Sequence, residues 1–412
     1  MNLLYFKMIL KETLRSIVRS QRQDLLSADN GIEREKLDEI KIDVPFAIII
    51  SGVRRCGKST LLRQMSKKIK NFYYFNFEDP KADGFELGDF QRLDEVFHEE
   101  YKESNYYFFD EIQNVQKWEL FIRAMLDKGK HFVITGSNAS LLSKELGTRL
   151  TGRHLRYELF PFSFEEFLKL TSKEAGITSF QDYFIKGGFP QYLKVGSSEV
   201  LQELFNDILI RDISIRYKIR NLRALREMAL YLITNVGKEF SYNSLKKTFK
   251  LGSVNSAISF VSYFEDSYML FTVPKFDYSI KKQIISPKKV YSIDNGFSNV
   301  NSASFSEDKG RMLENLVFLM LRKKNREIFY FQGNGECDFV IKQGTKIAKA
   351  IQVCYELNEQ NKEREITGLT EALEKFKLKE GLILTYDQED EFKTDNNIIK
   401  VIPIWKWVLE EK

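Results

Sequence analysis

Residues 46–59 read FAIIISGVRRCGKS, from Phe46 to Ser59, and the fold follows from how this stretch must be built. Phe46 to Ser51 is a short apolar run ending at a glycine, the pattern of a strand buried on both faces. Gly52-Val53-Arg54-Arg55-Cys56-Gly57-Lys58-Ser59 then satisfies G-x-x-x-x-G-K-[ST] in full. Glycines at both ends let backbone N–H groups turn inward around an anion, and the helix expected to follow adds the positive end of its dipole. A loop of this kind, running here from Gly52 to Thr60, cradles the phosphates of a nucleotide. Lys58 would reach the β- and γ-phosphates, and the Ser59 hydroxyl would ligate Mg²⁺. The competing reading is an ordinary glycine-rich turn. The strand before it and the helix after it argue against that.

Working outward, short apolar runs recur at Phe72 to Phe77, Tyr106 to Phe109, Phe132 to Thr135 and Leu155 to Phe160, separated by helix-permitting stretches such as Leu61 to Ile69 and Trp118 to Leu126. Strands alternating with helices predict a parallel α/β sheet covered on both faces. The run Tyr106-Tyr-Phe-Phe-Asp110-Glu111 ends in two carboxylates, which the strand delivers to the carboxyl edge of the sheet, where ligands bind in such folds. Asp110 is expected to hold the magnesium through its water and Glu111 to polarise the attacking water; two solvated residues at a strand end are the bland alternative. The next strand ends in Gly136-Ser137-Asn138, so Ser137 or Asn138 is either a sensor of the γ-phosphate or part of a turn or helix cap. Arg149 and Arg153 precede the fifth strand. Either one is a candidate to stabilise transition-state charge, including in a neighbouring subunit of a homo-oligomer, or else forms a surface salt bridge. No NKxD motif is present, which favours ATP over GTP.

Composition narrows the alternatives. The chain has 412 residues, 43% hydrophobic and 29% charged, which excludes a largely disordered protein and predicts two or three domains. Its 63 basic and 58 acidic side chains leave a net charge of +5, too slight to imply nucleic-acid binding except through local patches. Cys56, Cys337 and Cys354 form no CxxC pair, so neither a disulfide framework nor a cysteine zinc site is expected. No apolar run approaches the ~18 residues that span a bilayer, so a cytoplasmic location without a membrane partner is expected. Leu3, Leu4, Phe6, Leu10, Leu14, Ile17 and Val18 predict an amphipathic helix at the N-terminus.

After Pro161 the pattern changes. Ser163 followed by Glu166 is a capping-box start for a helix carrying Phe164, Phe167, Leu168 and Leu170. Gly187, Gly188 and Pro190 break the chain, and Leu201 to Val236 is expected to be helical. It carries the basic residues Arg211, Arg216, Lys218, Arg220, Arg223 and Arg226. Two short helices, about Ser241 to Lys250 and Ser253 to Asp266, precede strand-like Tyr268 to Val273 and Lys288 to Ile293, the order of a winged helix-turn-helix. The candidate reading helix lacks Lys and Arg, and its one amide is Asn255. Lys246, Lys247, Lys250, Lys275, Lys281, Lys282, Lys288 and Lys289 surround it and would touch phosphates without reading sequence. Sequence-independent DNA binding therefore competes with a solvated basic face or a protein-docking module. From Gly310 a third unit runs helix, three strands, helix, strand. Expected boundaries divide the chain into 1–195, 196–296 and 297–412.

SGVRRCGKSTLLRQ (Ser51 to Gln64), YFFDEIQNVQKWE (Tyr107 to Glu119), the stretch from Thr135 to Leu168, KGGFPQYL (Lys186 to Leu193) and ECDFVI with AIQVCY (Glu336 to Tyr355) together resemble the bacterial and archaeal AAA-type ATPases that carry a C-terminal domain of unknown function. The resemblance implies an AAA-like P-loop ATPase core with ATP and Mg²⁺, a winged-helix region and a PD-(D/E)XK nuclease-like α/β domain. In that last layout a helix Glu, a strand Asp and an E-x-K on the next strand bind the metal. Glu314 and Asp338 match, but Gln352 replaces the third carboxylate and Cys354 the lysine, while alternation puts Lys349 on the opposite face. The expectation is a nuclease-like fold without nuclease activity. The leading functional expectation is an ATPase that switches its two other domains. A nucleotide-gated DNA- or protein-binding module, a small-molecule kinase and an active nuclease are the alternatives.

Overall fold

The computed structural model describes residues 8–137, 150, 152–304, 308–324, 327–393 and 397–410. Asn138 and Arg149 lie outside the described residues. The chain divides into a unit ending at Leu159 and a second beginning at Phe160. The boundaries expected near 195 and 297 both fall inside the second.

The first unit is the expected parallel sheet. Its strands are β1 (Ala47–Ser51), β2 (Tyr73–Asn76), β3 (Tyr106–Asp110), β4 (His131–Gly136) and β5 (His154–Glu158), in the order β2-β3-β4-β1-β5. All four pairings are parallel. Every residue of β1 is buried, as a strand covered on both faces requires. The register Ser51↔Gly136 between β1 and β4, with Phe109↔Ile134 between β3 and β4, brings three carboxyl ends to one edge. β4 thus stands between the strand that feeds the glycine loop and the strand that ends in Asp110. Aromatic residues fill much of this core, where Tyr73, Phe75, Phe77, Phe90, Tyr107, Phe109 and Phe132 cluster together.

The helix Lys11–Ser27 buries Leu14, Ile17 and Val18 in that core, as expected for an amphipathic helix. Leu3, Leu4 and Phe6 lie outside the described residues, and Leu10, which precedes the first turn, is 73% exposed rather than part of the buried stripe. Lys11, Arg15 and Arg19 on its outer edge pair with Glu95, Glu99 and Glu100 of the helix Asp89–Glu100.

In the second unit, Ser163 Oγ accepts from the Glu166 N–H (3.1 Å) and Glu166 Oε2 from the Ser163 N–H (2.9 Å), which is the expected capping box on the helix Phe164–Thr171. The long helix expected from Leu201 to Val236 is interrupted. Ile208–Ile215 is wound as a π-helix, Lys218 turns to φ +52°, and Asn221 caps a new helix, Leu222–Thr234. The helices Tyr242–Thr248 and Val254–Asp266 follow, each capped by a serine. β6 (Glu239–Phe240), β7 (Leu270–Pro274) and β8 (Lys288–Ser292) then form an antiparallel sheet in the order β6-β8-β7.

The C-terminal part carries more strands than expected. β9 (Ile328–Gln332), β10 (Glu336–Gln343), β11 (Lys346–Val353), β12 (Glu380–Thr385), β13 (Asp390–Lys393) and β14 (Ile398–Pro403) are ordered β13-β14-β12-β11-β10-β9. The helix Lys362–Phe376 buries Leu369, Ala372 and Leu373 in a core with Val340, Ile383 and Val401. A backbone bond from the Phe276 N–H to the Tyr330 carbonyl (2.7 Å) ties the β7–β8 connection to β9.

Candidate functional site

The glycine loop is shaped from both sides. Gly57 adopts φ +99°, and a Cβ there would lie 2.8 Å from Arg34 Nη1. Gly52 is demanded by close approach, since a Cβ there would stand 2.2 Å from the Leu159 carbonyl oxygen. Arg55, at φ +63°, supplies the second left-handed turn. Arg34 is buried, donates from Nη1 to the Cys56 carbonyl (2.7 Å), and is held by the bond from its N–H to Gln64 Oε1 (3.2 Å). The Cys56 thiol is pushed up by burial and reaches the Leu159 carbonyl at 3.4 Å, so it packs rather than reacts. Arg54 pairs with Glu78 at 3.0 Å.

Lys58 opens the helix Lys58–Lys67 and is 4% exposed. Its ammonium donates to the Gly52 and Val53 carbonyls, both at 3.1 Å, and stands 3.7 Å from Glu111 Oε1. Asp110, at the tip of β3, is 2% exposed, and the hydroxyls of Thr135 and Ser59 hydrogen-bond its carboxylate. Burial and then the neighbouring Glu111 charge push the Asp110 carboxyl up to about 6. Thr135 serves both acidic residues, because its Oγ1 also accepts from the Glu111 N–H at 3.1 Å. Glu111 itself sits at φ +52°, a turn that aims its side chain back across the loop toward Lys58. Ser59 and Asp110 are a hard oxygen donor pair, and a buried carboxylate with a raised pKa gains from a divalent cation. This donor set fits Mg²⁺.

Of the expected site residues, the structure gathers Lys58, Ser59, Asp110 and Glu111. Ser137 is buried beside them, its Oγ 3.4 Å from Gln113 Nε2. Arg153 is not brought in. It precedes β5 at the amino edge of the sheet, opposite the glycine loop, and pairs there with Asp127 in an exposed salt bridge. Sequence reasoning missed Arg34, Gln113 and Thr135. Gln113 had a signal in the DEIQ of the second motif, and Thr135 ends the strand already assigned to the site. Arg34 has no local signature.

The second unit contains another carboxylate cluster. Glu314 comes from the helix Lys309–Lys324, and Asp338 and Glu336 from β10. All three close on one cation: Lys289 Nζ, from β8, lies 2.9 Å from Glu314 Oε1, 2.9 Å from Asp338 Oδ1 and 2.6 Å from Glu336 Oε1. Tyr291 also donates to Glu314 Oε1 at 2.6 Å. Burial works against the Lys289 charge, yet Asp338, Tyr291, Glu314 and Glu336 together raise its pKa well above the ordinary range. Burial and Asp338 raise the Glu314 carboxyl. Gln352 accepts the Asp338 N–H (3.1 Å) and turns its amide to Glu365 (2.5 Å). The Cys354 thiol is pushed up to about 11, chiefly by burial.

Lys289, expected among the phosphate-touching lysines, is therefore buried and engaged by carboxylates. On the helix Val254–Asp266 the two terminal acids are also engaged: Glu265 accepts from Thr272 (3.0 and 2.8 Å) and Asp266 from the Tyr217 hydroxyl (2.9 Å). Among the described residues no helix is long and apolar enough to cross a membrane.

Residues 45–168 match the AAA domain family, and residues 177–307 and 309–407 match two domains of unknown function, DUF8612 and DUF4143. Over 406 residues the chain is 38% identical to an uncharacterized protein of Methanocaldococcus jannaschii, covering 90% of each. It is 28% identical to an uncharacterized protein of Haemophilus influenzae, covering 94% of this chain and 99% of that one. Among solved structures, a STAND signal transduction ATPase with a tetratricopeptide repeat sensor from Pyrococcus horikoshii is 13% identical with a TM-score of 0.28. This chain spans 46% of that protein, and the match covers 71% of this one. AMPPCP-bound DnaA from Aquifex aeolicus is 15% identical with a TM-score of 0.29, covering 63% of this chain and 92% of that one. Likenesses of that size carry no argument about mechanism.

Proposed function

We propose, for a chain that belongs to the archaeal and bacterial AAA-type ATPase family with a C-terminal domain of unknown function, that it binds ATP with Mg²⁺ and hydrolyses it. The observation that carries this is the convergence of Lys58, Ser59, Asp110 and Glu111 on one edge of the parallel sheet. Lys58 would exchange the carbonyls of Gly52 and Val53 for phosphate oxygens, neutral acceptors for anionic ones. Ser59 and Asp110 would hold Mg²⁺, which neutralises charge on the phosphate oxygens when bound. Glu111 would take a proton from water as the water oxygen bonds to the γ-phosphorus. The bond between that phosphorus and the β–γ bridging oxygen breaks, with its electron pair leaving on ADP.

Nucleotide state would be passed to the helix-and-hairpin region and to the nuclease-like region, the latter acting without nuclease chemistry because an internal lysine fills its carboxylate cluster. Phosphate release by the purified chain, with and without duplex DNA and alongside solution mass, tests the reading. Lys58→Ala should lose nucleotide binding or turnover, and Glu111→Gln should keep binding and lose hydrolysis. Undiminished turnover in both variants would overturn the assignment.

A second reading, a nucleotide-gated module that binds DNA or another protein and hydrolyses slowly, is favoured by the resting engagement of Lys58 with its own loop and Glu111. An ATP-dependent, salt-sensitive shift of duplex DNA would support its DNA version. No shift at low salt would count against it.

A further inference from the structure

Gln113 follows Glu111 by two residues, in the tight turn Ile112–Asn114 that closes β3. The Asn114 N–H bonded to the Glu111 carbonyl (3.2 Å) and the Val115 N–H bonded to the Ile112 carbonyl (3.0 Å) wind this turn back on itself. The Gln113 side chain consequently folds over the ends of β3 and β4 rather than outward. Its Nε2 donates to Glu111 Oε2 and stands 3.4 Å from Ser137 Oγ.

The amide can face only one way. Turned over, its oxygen would oppose the Glu111 carboxylate, so Nε2 belongs on the acid and Oε1 on the far side. There Oε1 is buried against Gly136, where a Cβ would come within 2.7 Å of it, and it has no hydrogen-bond partner among the described residues. A buried carbonyl oxygen without a donor is costly, and such groups in native folds are filled by water or ligand.

We infer that Gln113 is a positioning residue for hydrolysis: its amide nitrogen aims the Glu111 carboxylate at the attacking water, and its oxygen accepts a hydrogen bond from water that enters with the nucleotide. The inference rests on the ATPase reading above and extends it from the two carboxylates to the group that orients one of them. Lys58 pulls on Glu111 Oε1 from one side and Gln113 holds Oε2 from the other. When Lys58 moves to phosphate, Gln113 is the partner that keeps the acid from swinging away.

Gln113→Met keeps the length and packing over Gly136 but removes both polar halves. Gln113→Glu keeps the shape and places a second acid against Glu111. Both should melt close to the wild type and bind a non-hydrolysable ATP analogue with Mg²⁺ within about twofold. Their kcat should fall by about a hundredfold with KM little changed, the penalty of a misaimed catalytic group. Gln113→Asn, which retains a donor one methylene short, should recover part of the loss. Full kcat in the Met and Glu variants would overturn the inference, as would loss of analogue binding in step with kcat, which marks a merely structural role. A wild-type chain that binds the analogue yet releases no phosphate would overturn the ATPase reading itself, and this inference with it.

Discussion

At the edge of the parallel sheet Asp110 and Glu111 face Lys58, whose ammonium donates to two backbone carbonyls and stands 3.7 Å from Glu111. In the second unit Glu314, Asp338 and Glu336 face Lys289, whose ammonium reaches all three within 2.9 Å. Each cluster sets acids beside a buried lysine, with Asp110, Glu314 and Asp338 buried and Glu111 and Glu336 less so. They differ in what the lysine holds. Lys58 holds two neutral carbonyl oxygens, which under the proposed ATP reading phosphate oxygens would replace. Three carboxylates surround the Lys289 ammonium, and their combined negative charge exceeds its own and opposes a phosphate. The same side-chain chemistry gives a site in one place and a peg in the other, a peg that also fastens β8 to β10 and to the helix Lys309–Lys324.

The largest effect should come from breaking the first cluster. Lys58→Ala should lower ATP turnover at least a thousandfold in a phosphate-release assay, in the range of about 10²–10³ and beyond seen when a transition-state charge partner is lost. A variant that kept a tenth of the rate would show that Lys58 is bound to its own loop as firmly as Lys289 is to its acids. Breaking the second cluster should register in stability instead. Lys289→Ala leaves buried acids without their cation and should cost about 3–5 kcal/mol in denaturant unfolding of the second unit. Millimolar Mn²⁺ should restore part of that loss in the variant and do nothing to the wild type. A cost under about 1 kcal/mol would make Lys289 a bystander. No Mg²⁺- or Mn²⁺-dependent DNA cleavage is expected from the wild type, and cleavage that vanished in Asp338→Ala would reverse the contrast between the two clusters.

Asp294 sharpens the comparison from a third side, because it is buried and its hydrogen bonds come chiefly from backbone N–H groups, with the Lys323 charge a lesser influence. It accepts from the Gly188 N–H (2.7 Å) and the Phe297 N–H (2.9 Å), and burial still pushes its carboxyl up to about 6. A carboxyl raised in the folded state binds its proton more tightly there than in the unfolded chain. Its contribution is full below the ordinary value of 3.8 and is lost as the pH rises through about 6. The stability of the wild type relative to Asp294→Asn should therefore decline across that window, by on the order of 3 kcal/mol. A flat difference would mean that the backbone donors alone compensate the charge. The smallest effect is expected at Arg153. Its exposed pairing with Asp127 predicts turnover within about twofold of wild type in Arg153→Ala at protein concentrations where the chain is a single protomer.

Local chemistry was legible in the sequence and distant chemistry was not. The glycine loop, the paired acids of β3 and the Ser163 cap each write their geometry into a handful of adjacent residues, and their spacing alone identifies them. Lys289 is separated from Glu314 by 25 residues and from Asp338 by 49. On its own strand it looks like any other basic side chain, so the sequence groups it with phosphate contacts. The break at Lys218 in the expected long helix carries neither glycine nor proline, and its left-handed turn stands between the π-wound stretch before it and the Asn221 cap after it. Arg34 belongs to the same class, since only the fold brings it against Gly57.

The Leu159 carbonyl that leaves no room for a side chain at Gly52, and against which the Cys56 sulfur rests, belongs to the last residue of the first unit. The phosphate loop is thus braced on the very peptide through which the backbone departs. Under the proposed ATP reading, a loop that reshapes around the nucleotide would act on that peptide directly.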